Sequence, residues 1–164
     1  MPRLRCATVH ALMHGHWLYE MLCIRFDSSS LARPEAHTSA DRGMIYVPNL
    51  PHASKPVSVG WQFSTIMLLP EQPSSWMDFL DQQRIRTDQT AVEVACLQLR
   101  SVLPLLKRPV IILADRWYAT PKFLQVCRKL GCHVIVRLKR NRKLSRPPVR
   151  KHLRGAPPKD GSLF

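Results

Sequence analysis

Val110-Ile111-Ile112-Leu113-Ala114-Asp115 is the stretch on which the reading of this chain turns: five uninterrupted apolar residues stopped by an acid. A run that short, with nothing polar to turn toward water, suits a strand covered on both faces in a parallel sheet. Leu22-Cys23-Ile24-Arg25-Phe26-Asp27 ends the same way, apolar but for Arg25 and closed by an aspartate. In open α/β sheets ligands gather beyond the carboxyl ends of strands, so both acids are expected at the functional edge. If the two strands are neighbours, a spacing of about 4.8 Å lets the carboxylates hold one divalent cation. A single strand-end Asp is more often a cap or loop residue. Two in matched settings, 88 residues apart, favour chemistry.

Outward from Asp115, Thr120 is placed to cap and Pro121 to open a helix through Leu130, which Gly131 terminates. His133 to Leu138 then predicts a strand running straight into Lys139-Arg140-Asn141-Arg142-Lys143. Upstream, the strongest helical pattern is Val92, Ala95, Cys96, Leu99, Val102 and Leu103, with Thr87 or Asp88 as its cap and Pro104 and Pro109 punctuating its end. Val57 to Leu69 predicts a long strand, Met44 to Val47 a short one, and Trp17 to Phe26 the first. Leu31 to Arg42 reads as loop, and Ser74-Ser75 as the start of a short helix through Leu80. Residues 1–16 and 145–164 carry no persuasive period. The expected order is strand, strand, strand, helix, strand, helix, strand, which indicates a mixed α/β sheet.

The charge is lopsided. Residues 1–115 hold 11 Lys/Arg against 10 Asp/Glu, whereas residues 116–164 hold 14 against Asp160 alone, so nearly all of the net +14 lies in the last third. That is the electrostatic footprint of a polyanion partner, most often nucleic acid. Arg137, Lys139, Arg140, Arg142 and Lys143 alternate with Leu138 and suit one packed and one phosphate-facing side. Arg116 is suited equally to the DNA backbone or to a surface acid. Trp117, Tyr118 and Trp61 read as packing residues, and His133 as no ligand. The five cysteines form no Cys-x-x-Cys, which argues against zinc and for a reducing, cytoplasmic setting. Neither a secretory signal nor a membrane span is read, and no Gly-rich phosphate loop points to nucleotide binding.

Several blocks carry a family resemblance: Phe26-Asp27-Ser28-Ser29 through Arg33-Pro34, Gly60-Trp61-Gln62-Phe63-Ser64-Thr65, Leu80-Asp81-Gln82-Gln83-Arg84-Ile85 and Leu113-Ala114-Asp115-Arg116-Trp117-Tyr118-Ala119-Thr120. With Val136-Arg137-Leu138-Lys139-Arg140-Asn141-Arg142 and Arg154-Gly155-Ala156-Pro157-Pro158-Lys159-Asp160-Gly161, they make the chain resemble a bacterial insertion-sequence transposase of the DDE superfamily from about residue 20 onward. The resemblance implies a ribonuclease-H-like sheet of strand order 3-2-1-4-5 with flanking helices, incomplete at the C-terminus. It implies that Asp27 and Asp115 are the first two acids of a catalytic triad holding two Mg²⁺ (or Mn²⁺) ions, which hydrolyse DNA phosphodiesters and transfer strands at transposon ends. Its partners would be transposon-end and target DNA, with a homodimer in the full-length family and a nucleoid-associated location in the bacterial cytoplasm. The third acid, a Glu on a later helix, has no counterpart, because only Asp160 follows Asp115.

The expectation is therefore a truncated, inactive copy. Residues 1–16 would be a remnant, 17–140 the partial catalytic domain and 141–164 the start of an inserted segment. The rival reading is a non-catalytic, basic nucleic-acid-binding protein. A phosphatase with an Asp nucleophile fits less well, since neither Asp27 nor Asp115 has a second acid two residues on.

Overall fold

A computed structural model describes residues 20–48, 56–72, 74–149 and 159–163. Along the chain run β1 (Leu22–Ala32), β2 (Gly43–Tyr46), β3 (Val57–Leu68), β4 (Asp78–Ile85), α1 (Ala91–Leu106), β5 (Val110–Ala114), α2 (Pro121–Lys129) and β6 (His133–Val136). All six strands form one sheet, ordered β2-β3-β1-β5-β6, with β4 sharing the outer edge of β3 with β2. β3 runs antiparallel to β1, β2 and β4, whereas β1–β5 and β5–β6 are parallel. With β2 set aside, the order β4-β3-β1-β5-β6 is the ribonuclease-H-like 3-2-1-4-5, and the mixed α/β expectation holds.

One face of the sheet carries Leu22, Ile24, Phe26, Ile66, Leu68, Val110 and Ile112, all buried in one apolar cluster with residues of both helices. Alternation along β1 puts Cys23, Arg25 and Asp27 on the other side of the pleat, where exposure rises. From α1, Ala95, Cys96, Leu99, Val102 and Leu106 enter the cluster, and from α2, Phe123, Val126 and Cys127. Burial pushes the Cys127 thiol up to about 12, so it packs as a small apolar group. Gln98 is also fully buried, and its amide is satisfied. It accepts from Ser64 Oγ (2.7 Å) and donates to Ser64 O (3.1 Å) and Asp81 Oδ2 (2.9 Å), pinning α1 across β3 and β4.

Five sequence expectations are corrected. Residues 78–85 are a strand, not part of a short helix through Leu80. The signal is weak because β4 is a polar strand that buries only Leu80 and Ile85. Those two lie five apart, a spacing that an unbroken period of two would send to opposite faces. A bulge opposite Ile66/Met67 leaves Leu80 as the extra residue and turns it inward.

The long helix is capped by Thr90, not Thr87 or Asp88. Thr87 is engaged elsewhere: its amide and hydroxyl both donate to Asp41 Oδ1, while Arg84 pairs Oδ2 of the same carboxylate. Pro104 sits inside the last turn, and the helix ends where Lys107 turns left-handed at φ 49°. Finally, β1 runs on to Ala32 and β6 stops at Val136. The N-terminal calls on residues 1–16 and the strand start at Trp17 lie outside the described residues.

Gly60 stands where β1, β2 and β3 meet, opposite both Ala32 and Gly43. A Cβ there would come within 2.1 Å of Leu31 O and 3.0 Å of Ala32 Cα, both backbone atoms. Gly60→Ala should therefore cost about 1–3 kcal/mol, the range for overpacking, read as a lower urea midpoint with an unchanged slope. At the α1 cap, Glu93 closes a capping box with Thr90 and pairs Lys122 of α2 at 2.8 Å. The Lys122 ammonium first, then the Thr90 amide and hydroxyl, lower the Glu93 carboxyl to about 2. A depressed carboxyl stabilises fully above its unfolded value and loses that contribution as pH falls through the folded one. Side-chain NMR titration should put the Glu93 midpoint near 2, and Lys122→Ala should move it upward.

Candidate active site

Phe26 and Ile112 point into the core from β1 and β5. The parallel ladder pairs Leu22 with Val110, Cys23 with Ile111, Ile24 with Ile112 and Arg25 with Leu113. Each pair differs by 88 residues, and Asp27 and Asp115 differ by the same amount. Continued two steps beyond Arg25 and Leu113, the register sets the two acids level with each other. The ladder to β5 stops there, while β1 continues because β3 still supplies partners, Asp27 against Thr65 and onward to Ala32 against Gly60. Asp27 thus does not close its strand, as its sequence suggested. It marks the point where β1 loses its parallel neighbour and its edge opens.

Both acids are exposed and line one cleft of about 720 Å³, together with Tyr46, Arg116, Trp117 and Tyr118. The first turn of α1, from Thr90 to Val92, closes its far wall. One oxygen of each carboxylate accepts from the next backbone amide, Ser28 N at 3.0 Å and Arg116 N at 2.5 Å. Among the described residues the remaining carboxylate oxygens have no protein donor, which leaves a hard, all-oxygen donor pair suited to Mg²⁺ or Mn²⁺. Among the described residues no group of three His, Cys, Asp or Glu is placed to hold a metal.

Three rings beneath the acids set their position. Phe26, Tyr118 and Phe123 meet pairwise at centroid separations of 5.9, 5.7 and 5.3 Å, joining β1, the β5–α2 turn and α2. The turn itself is fixed by Tyr118 N donating to Asp115 O at 3.0 Å and by Thr120 Oγ1 accepting from Phe123 N at 3.4 Å. Tyr118 is buried, and its hydroxyl makes no hydrogen bond of normal geometry, although Ser64 lies near enough to favour the phenolate slightly. Burial dominates, the Asp27 and Asp115 charges add to it, and the phenol is pushed up to about 12. Tyr118 thus stays a neutral phenol in the lining of the cleft that holds the two acids.

The basic residues divide. Arg116 and Lys139 converge on Trp117: the guanidinium lies 5.6 Å and the ammonium 4.8 Å from its ring centroid. Arg137 N donates to Ala114 O at 3.3 Å, which brings the chain leaving β6 alongside the end of β5. Arg137, Arg140, Arg142 and Lys143 are exposed in and after that segment, and none is drawn into the cleft lining. Trp117 is 60% exposed, so the packing role expected from sequence belongs to Tyr118 alone. Trp61 is half-buried under Arg84 rather than in the core, and the signal for either tryptophan's environment was absent from its local sequence.

No helix among the described residues is long and apolar enough to cross a membrane. No curated protein matches the chain. Among solved structures, a chain in the crystal structure of the Mos1 strand transfer complex is similar at 18% identity with a TM-score of 0.39. The match covers 82% of this chain and 40% of that one, so the chain spans less than half of that neighbour's length. The sequence pattern of the family described as DDE superfamily endonuclease matches residues 6–164, and the chain belongs to that family.

Proposed function

We propose that Asp27 and Asp115 hold a divalent cation, Mg²⁺ or Mn²⁺, and that the chain is the catalytic part of a DDE transposase acting on DNA. The observation that carries this reading is the common register of β1 and β5, which brings two acids level at the mouth of one cleft. The two-metal site of the family, the transposon-end and target DNA, the homodimer and the nucleoid location all belong to this proposal. So does the division into a catalytic portion over 17–140 and an inserted segment beginning at 141.

When bound, a divalent cation neutralises charge on the scissile phosphate and lowers the pKa of a water it binds. The chain's own residues do the rest. Asp27 offers a carboxylate oxygen from within β1 and Asp115 one from the turn that follows β5, both held in place before binding. The contacts of Phe26, Tyr118 and Phe123 fix the cleft wall that Tyr118 lines. Arg116, in the cleft lining, and Lys139, over the Trp117 ring that also lines it, counter the charge of the phosphates on either side of the reacting one. Arg137, Arg140, Arg142 and Lys143 extend that positive field along the DNA backbone.

The two acids supply part of a full donor set, so we propose that the chain binds DNA and metal more readily than it turns DNA over. The same basic surface supports a second reading, binding without catalysis. Metal dependence separates the two.

Titration of the chain with Mn²⁺, followed by the relaxation of water protons, should show saturable binding that depends on both acids. Asp27→Asn and Asp115→Asn should each weaken it at least tenfold, about 1.4 kcal/mol, without unfolding the protein. Affinity for a transposon-end duplex should fall steeply with salt, with a log–log slope near −5 if six cations engage phosphates at about −0.9 each. Unchanged Mn²⁺ affinity in both variants would exclude the metal site and leave the binding-only reading.

A further inference from the structure

We infer that Trp117 is a stacking platform for an unpaired DNA base held beside the two acids, which rests on the DNA reading above. An indole left 60% exposed next to a fully packed Tyr118 needs a reason. The turn gives the geometric one: Tyr118 N is tied to Asp115 O, so the chain reverses there, and Asp115, Arg116 and Trp117 stay exposed while Tyr118 and Ala119 are buried. What the outward ring meets is chemically specific. Arg116 and Lys139, from two different connections, both bring their charges to its face.

An aromatic ring with two cations at its face, lining the same cleft as Asp27 and Asp115, matches a nucleotide in three parts. The base stacks on the indole, Arg116 and Lys139 move from the ring to the adjoining phosphates, and the next phosphate along reaches the acids. Among the described residues neither cation has an ion pair with a carboxylate, so no acid there holds either back. The ring can engage only a base whose face is uncovered, because in an intact duplex both faces are stacked on neighbours. The ligand class is thus DNA with an unpaired or extruded terminal base, not uniform duplex. Tyr46, itself 63% exposed on the same cleft, would border the base.

The test uses the whole chain with two DNAs of equal length of duplex, one blunt and one with a short single-stranded end carrying 2-aminopurine. Wild type should prefer the overhang and quench the aminopurine on binding. Trp117→Ala should lose roughly tenfold of that preference and the quench, within the range of base–aromatic stacking, while Trp117→Phe should keep most of both. If blunt and overhang DNA bind equally, or if Trp117→Ala preserves the quench, the stacking inference is wrong while DNA binding stands. If neither DNA binds wild type, the DNA reading itself falls, and this inference with it.

Discussion

The parallel pairing of β1 with β5 is the constraint on which the rest of the molecule depends. It joins residues 88 positions apart by four successive register pairs, through strands whose inward residues Leu22, Ile24, Val110 and Ile112 are buried. A slip of one residue would turn those side chains to the exposed face, so register is held by the core as well as by hydrogen bonds. The consequence at the open end is geometric. Residues the same number of steps beyond the last pair stand level, and two steps on both are aspartates.

Packing under the acids makes that alignment rigid. Phe26 immediately precedes one acid and Tyr118 follows the other by three residues, and both rings close on Phe123 of α2. The site's two walls are therefore joined through the floor as well as through the ladder. Burial of an aromatic trio of this size contributes several kcal/mol, ample to hold two exposed carboxylates near each other despite their mutual repulsion. A cation between them would relieve that repulsion, which is the physical sense in which the fold is prepared for a metal.

The legible parts of the sequence are those in which local pattern and tertiary environment agree. β3, β5 and α2 fall within a residue or two of expectation, because continuous or alternating apolar runs and the Thr120-Pro121…Gly131 punctuation act locally. β4 escaped because its inward residues are out of phase, corrected only by a bulge against β3. The α1 cap was misplaced by three residues because Thr87, Asp88 and Thr90 are all capable caps. Which one serves depends on Asp41, 46 residues before Thr87 in the chain, taking the hydrogen bonds of Thr87. The exposure of Trp117 and the half-burial of Trp61 were equally hidden, since an indole's surroundings are set by elements distant in sequence.

Sequence alone determined the two strand-end acids, the mixed α/β order and the concentration of positive charge after residue 115, all properties of residue type and short spacing. Only the tertiary structure decided that β1 and β5 are adjacent in matched register and that Asp27 lies within a longer strand. It alone also brought Lys139 back to Trp117. The reason is common to all three: long-range pairing is selected by the burial of whole faces, and no single stretch of chain contains the face it will meet.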